Sequence, residues 1–191
     1  TAATLPSSGP DMLNRIAQYE PAWNSIRNAA NTASTSVTSL INLCTAAVAT
    51  ASTVEPPDTA FISAATAQAS AAQTALAVEI APVLSRAVVA STIIAAARAM
   101  VQKVQTELNS GAEGSGGAYL ADIQALQAMP PTAEDVANVQ QDVQVFGGAT
   151  ASPSGSLVVS GGSLIDRMSL INTNATALRA VCTPPAPSSA S

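Results

Sequence analysis

Apolar and small residues recur along this chain at alternating steps of three and four. The first run is Ile16, Tyr19, Trp23, Ile26, Ala30, Ala33, Val37, Leu40, Cys44, Ala47 and Ala51. Such spacing keeps returning to one face of a helix and demands a partner for that face, as in coiled coils and bundles. It predicts a helix over about 10–53, entered at Gly9-Pro10 and closed by Pro56-Pro57. Pro21 lies inside it, so the helix either kinks there or begins anew with Pro21 in its first turn.

A second run follows Asp58, a suitable N-cap: Ile62, Ala65, Ala69, Ala72, Leu76, Ile80, Val83, Ala87, Ala90, Ile94, Ala97, Val101, Val104 and Leu108. Two successive steps of four, Ala72 to Leu76 to Ile80, fall just before Pro82. An extra four-residue step relaxes a heptad, which predicts local unwinding or bending at that place. The helix is expected to end at Asn109-Ser110-Gly111. At about 1.5 Å per residue, each of these two helices would exceed roughly 60 Å if unbroken.

Three shorter helices complete the pattern. One spans 118–129 with Leu120, Ile123 and Leu126 inside, and one spans 133–146 with Val136, Val139, Val143 and Phe146 inside. Thr132 and Asp135 between them have the spacing of a capping box, with Asp in the place of Glu. The third, 163–181, carries Leu164, Met168, Ile171, Ala175, Leu178 and Cys182. Leu157-Val158-Val159 reads as extended, although two-stranded pairing is marginal by itself.

The predicted fold is therefore all-α: an elongated helical bundle built on a long antiparallel helix hairpin (about 10–53 and 58–109), with three shorter helices and a small extended segment near 156–160. Its parts are an N-terminal arm over 1–9, a single helical domain over 10–182 with flexible connectors at 110–117 and 147–162, and a Pro/Ser-rich tail over 183–191. The tail has no large apolar side chain and in isolation cannot offset its ordering entropy.

Composition changes the picture from shape to partners. Of 191 residues, 41 are alanine, 22 serine and 18 threonine, and the 19 charged side chains make only 10% of the chain, against about 25% in ordinary domains. Alanine buries little area, so stability must come from long interfaces and close packing. A net charge of −5 with a single lysine speaks against nucleic-acid binding, which needs a clustered basic face. Residues 28–54 carry no charge, but their many Asn, Ser and Thr make them unsuitable as a membrane span; no span is expected. The short uncharged start lacks the apolar run of a signal peptide.

Candidate chemistry is sparse. Without histidine, imidazole catalysis and His-ligated metals are excluded, and two cysteines do not complete a Cys-only zinc or iron–sulfur site. No catalytic, cofactor-binding or metal-ligating residues are expected. Glu134, Asp135 and Asp142 put three carboxylates on one short helix, but no acid–base pair emerges, and the first-turn acids read as complementing the helix dipole. Gly111 to Gly117 and Ser154 to Gly162 lack the phosphate-loop pattern and read as connectors. Lys103 falls on the face away from the packing seam and reads as solvated. Asn174-Ala175-Thr176 is a glycosylation acceptor pattern, relevant only in a eukaryotic secretory route.

Two residue sets stand out as candidates for contact. Arg15 and Arg27, Arg86 and Arg98, and Arg167 and Arg179 form three pairs, each twelve apart. The first of each pair occupies a g position and the second an e position, flanking a helix interface. They are interface candidates, with chance spacing in a charge-poor chain as the competing explanation. Cys44 and Cys182 both fall on a positions. They read as buried thiols acting as small apolar residues, with a disulfide between them as the alternative.

These features point to a non-enzymatic structural subunit of a large assembly, most concretely a virion component of a phage head, neck or tail. Its expected partners are copies of itself or other assembly subunits, and its expected location is the virion or another extracellular assembly. The alternative is a secreted or envelope-associated helical module holding an apolar ligand between its helices.

Overall fold

The computed structural model describes residues 7–111, 117–145, 150–151 and 157–185. The protein is an all-α helical bundle with almost no strand. Its elements are α1 (Ser8–Ala51), α2 (Thr59–Ala75), a π-turn (Leu76–Ile80), α3 (Ala81–Asn109), α4 (Gly117–Ala128), α5 (Ala133–Val143), β1 (Thr150–Ala151), β2 (Val159–Ser160), α6 (Leu164–Leu178) and a terminal 3₁₀ turn (Arg179–Cys182).

The two long apolar runs supply most of the core, but Ile62, Ala69 and Leu76 of the second are only half-buried, and Ala75 takes the inward place expected of Leu76. From Ile16 to Ala47 every member of the first run is buried; Ala51, at the end of α1, is not. In the second run, Ile80, Val83, Ala87, Ala90, Ile94, Ala97, Val101, Val104 and Leu108 are all buried. α1 passes through Pro21 as one helix, which sets aside a restart at that residue. The irregular spacing before Pro82 is resolved by the π-turn, in which the Ala81 N–H donates to the Leu76 carbonyl five residues earlier. Proline lacks the N–H for the usual bond and crowds the carbonyl four residues back; the wider turn accommodates both and keeps Ile80 buried on the seam.

The helix ends follow local chemistry. The Asp58 side chain accepts the Phe61 N–H at 3.0 Å and starts α2. Thr132 and Asp135 close a reciprocal capping box on α5, and Ser163 and Asp166 repeat it on α6. α3 stops at Gly111, whose φ of 77° suits a residue without a β-carbon.

Some boundaries and inward faces differ from expectation. α5 ends at Val143 because Gln144 has already turned to extended backbone; Phe146 lies outside the described residues, as do 1–6 of the expected N-terminal arm, 112–116, 147–149 and 152–156 of the expected connectors and 186–191 of the tail. In α4 it is Tyr119, not Leu120, that faces inward: Leu120 is 59% exposed. Tyr119, Ile123 and Leu126 form an i, i+4, i+7 face, and Leu120 lies about 100° around the helix from Tyr119. The extended segment is a two-residue antiparallel ladder, Thr150 opposite Ser160 and Ala151 opposite Val159. It is anchored by the buried Leu157 and Val159 and touches α6.

The chain divides into two compact units, Thr1–Ile26 with Ser85–Gln144, and Arg27–Leu84 with Val145–Ser191. The first unit holds large core residues, including Met12, Trp23, Tyr19, Tyr119 and Leu126. The second is built on Ala30, Ala33, Val37, Leu40, Ala65 and Ala72, closed by Met168, Ile171 and Leu178 of α6. There, the Ser36 hydroxyl bonds the Asn172 side-chain oxygen between α1 and α6, and α2 touches the 3₁₀ turn.

Candidate functional site

In the second unit, Cys44 and Cys182 form a disulfide with Cα atoms 4.8 Å apart. This corrects the reading of the two cysteines as free thiols. Their a positions aim both sulfurs into one seam, and at that separation a bridge needs no backbone movement. Asn174 is also in this unit, with its amide nitrogen buried, so the folded chain does not offer it to a glycan.

The six candidate arginines behave differently from one another. Arg15 is 9% exposed; its Nε pairs with Asp11 at 3.1 Å and its Nη1 donates to the Pro131 carbonyl. A buried guanidinium held by a carboxylate and a carbonyl meets the requirement for burying charge. Arg167 is half-buried, and Arg27, Arg86, Arg98 and Arg179 are exposed in the single chain. Arg98 ion-pairs with Glu20, linking α3 to α1. Arg86 lies 3.7 Å from Asp142 of α5. Lys103 is exposed, as expected from its place on the helix, and pairs with Asp122 of α4 at 2.7 Å.

In the first unit, the polar and aromatic groups converge on the inner side of α5. Tyr19 and Trp23, one helical turn apart on α1, meet edge-to-face with centroids 6.4 Å apart. The Arg86 guanidinium carbon sits 5.2 Å from the Trp23 ring centroid, in cation–π range. A cleft of about 140 Å³ opens beside them, walled by Asp135, Asn138 and Asp142. Arg86 also borders a second cleft of about 320 Å³ that reaches Val89 and Ala90. Burial pushes the Tyr19 hydroxyl above its usual pKa, opposed by the Trp23 indole beside it.

The periodicity placed Tyr19, Trp23 and Arg86 correctly on their helices without connecting them. One signal was available: the chain's one tryptophan stands a single turn from one of its two tyrosines.

A third cleft, about 480 Å³, lies on the other side of α5 between Asn14, Gln18, Gln127, Thr132 and Gln140. No cluster of three acidic or cysteine side chains suited to a metal occurs among the described residues.

One further property concerns the second long apolar run. Thr59–Asn109 is long and apolar enough, by length and composition, to cross a membrane; its most apolar window has a mean hydropathy of 1.8 and is one-third buried. Alanine, valine and isoleucine give this segment its hydropathy without the polar interruptions of residues 28–54.

No protein-family model, curated protein or solved structure matches the chain.

Proposed function

We propose that the protein is a non-enzymatic structural subunit of an extracellular assembly, a virion component being its most concrete form, and that it works through helix–helix and subunit–subunit packing. The observation that carries this reading is the chemistry of the helix surfaces. Thr32, Thr35 and Thr45 of α1, Thr66 and Thr74 of α2, and Thr92 and Thr106 of α3 each donate their hydroxyl to the carbonyl four residues earlier. A hydroxyl that already has an acceptor loses little when a neighbour covers it, whereas an unpaired one, or a lysine, costs much more to desolvate. These faces are polar enough to remain in water and inexpensive to bury.

The ion pairs support the same reading. Arg15, Arg86, Arg98 and Lys103 each meet a carboxylate within the chain, which lowers the charge a neighbouring subunit must face. The Cys44–Cys182 bridge fits an oxidising setting.

The test is sedimentation of purified protein over a wide concentration range. A concentration-dependent multimer is expected, and Thr35→Lys or Thr92→Lys should weaken it while leaving helical circular dichroism unchanged. A monodisperse monomer at every concentration, taking up fatty acid with saturation, would replace this reading with that of a module binding an apolar ligand.

A further inference from the structure

The bridge between Cys44 and Cys182 adjoins two parts of the chain that differ in what else secures them. α6 is secured many times over. Leu164, Met168, Ile171, Ala175 and Leu178 are buried along its length, a reciprocal capping box closes its first turn, and Asn172 bonds Ser36 of α1. None of these contacts depends on the cysteines.

The 3₁₀ turn that follows is held differently. Arg179, Ala180 and Val181 are exposed, and within the turn Cys182 alone is buried. Residues 183–185 beyond it are exposed as well. The bonds of this stretch are local: the Thr183 N–H donates to the Ala180 carbonyl at 3.3 Å, and the Thr183 hydroxyl donates to the Arg179 carbonyl at 3.0 Å. Bonds of that kind, open to water, contribute little, and one small buried side chain does not offset the ordering of a whole turn. The contact of the turn with α2 therefore rests on the covalent bond to Cys44. Elements with so few buried apolar contacts are the ones that open locally while their surroundings stay folded.

We propose that the Cys44–Cys182 bridge is a redox latch: oxidised, it pins the 3₁₀ turn against α2, and reduced, it lets the turn lift away while α6 stays packed. The device exposes Cys182 and the chain around it under reducing conditions. It lies inside one unit of one chain and does not depend on the assembly reading.

The reductant is a dithiol. One of its thiolates attacks a bridge sulfur and displaces the other cysteine as a thiolate. Its second sulfur then attacks the mixed disulfide and leaves with the first as a cyclic disulfide, so that two electrons and two protons pass to Cys44 and Cys182, which remain as thiols. Both sulfurs belong to residues with 0% exposure, so attack waits on fraying of the turn.

The experiment treats full-length protein with excess dithiothreitol in native buffer, follows thiol release, and labels the reduced protein with iodoacetamide, read by peptide mass. Reduction is expected without denaturant, more slowly than in the urea-unfolded chain. Cys182 should then label about tenfold faster than Cys44, which stays on the α1 seam, with helical circular dichroism unchanged. Trypsin supplies a second readout. In the reduced protein it should cut after Arg179 well before it cuts after Arg167 in α6, and a Cys44→Ala/Cys182→Ala variant should show the same order without reductant. The latch is overturned if the bridge resists the dithiol until the protein is unfolded, or if Cys182 of the reduced, folded protein labels no faster than Cys44. It is equally overturned if reduction opens Arg167 to trypsin as readily as Arg179, since α6 would then depend on the bridge too.

Discussion

Cys44, in the second half of α1, is bonded to Cys182, the last residue of the 3₁₀ turn, across a sequence separation of 138 residues. The bridge lies in the unit whose core is richest in alanine, where burial contributes least per residue. Constraining so long a loop in the unfolded chain is worth about 4–5 kcal/mol in the chain-entropy account. A Cys44→Ala/Cys182→Ala variant should therefore lose roughly 2–5 kcal/mol of unfolding free energy, measured by denaturant titration. A loss below about 1 kcal/mol would show that the unfolded chain does not feel this constraint.

Burial separates apolar positions that resemble one another in sequence. Leu40 is fully buried and Leu120 is mostly exposed. Leu40→Ala should cost about 2–5 kcal/mol through lost transfer and the cavity left behind. Leu120→Ala should stay within about 0.5 kcal/mol of wild type. Thermal or denaturant unfolding of the two variants checks both.

The capping box at the start of α6 is buried as well as reciprocal. Ser163 is 4% exposed, and its hydroxyl accepts the Asp166 N–H at 3.1 Å. Ser163→Ala should destabilise by about 0.5–2 kcal/mol, and Ser163→Gly by less than that. Asp58→Ala, at an exposed cap, belongs at the lower end of the range.

The Lys103–Asp122–Glu107 group sets a pH dependence with two opposed signs. The Lys103 ammonium, bonded to Asp122, holds that carboxyl below its ordinary value of 3.8. Its stabilisation is complete above the ordinary value and is lost as pH falls through the lowered one. Glu20, bonded to Arg98, behaves in the same way below 4.5. Glu107 is the reverse: burial, and then its contact with Asp122, raise its carboxyl above 4.5, so its contribution is present below that value and is lost as pH rises through the raised one. Glu107→Gln, which mimics the protonated acid, should raise the unfolding temperature at pH near neutrality and leave it unchanged in acid. A melting series from acid to neutral pH for the two proteins decides this; equal effects at both ends would show that Glu107 does not titrate as described.

How much of this protein was written in its sequence follows from the range over which each signal acts. A helix face repeats every three or four residues and a cap bonds three residues away, so the apolar runs, Asp58, the Thr132–Asp135 box and the unwinding before Pro82 were all readable locally. The exposure of Leu120 was not, because a shift of one residue in the inward face depends on what α4 packs against. Nor was the choice between two thiols and a bridge, since both place Cys44 and Cys182 on the same seam position. The meeting of Trp23 with Arg86, and of Arg86 with Asp142, joins α1, α3 and α5 through residues about 60 positions apart in sequence. Periodicity records which way a side chain points. What it meets there depends on how distant segments come together, and that was decided by the tertiary structure alone.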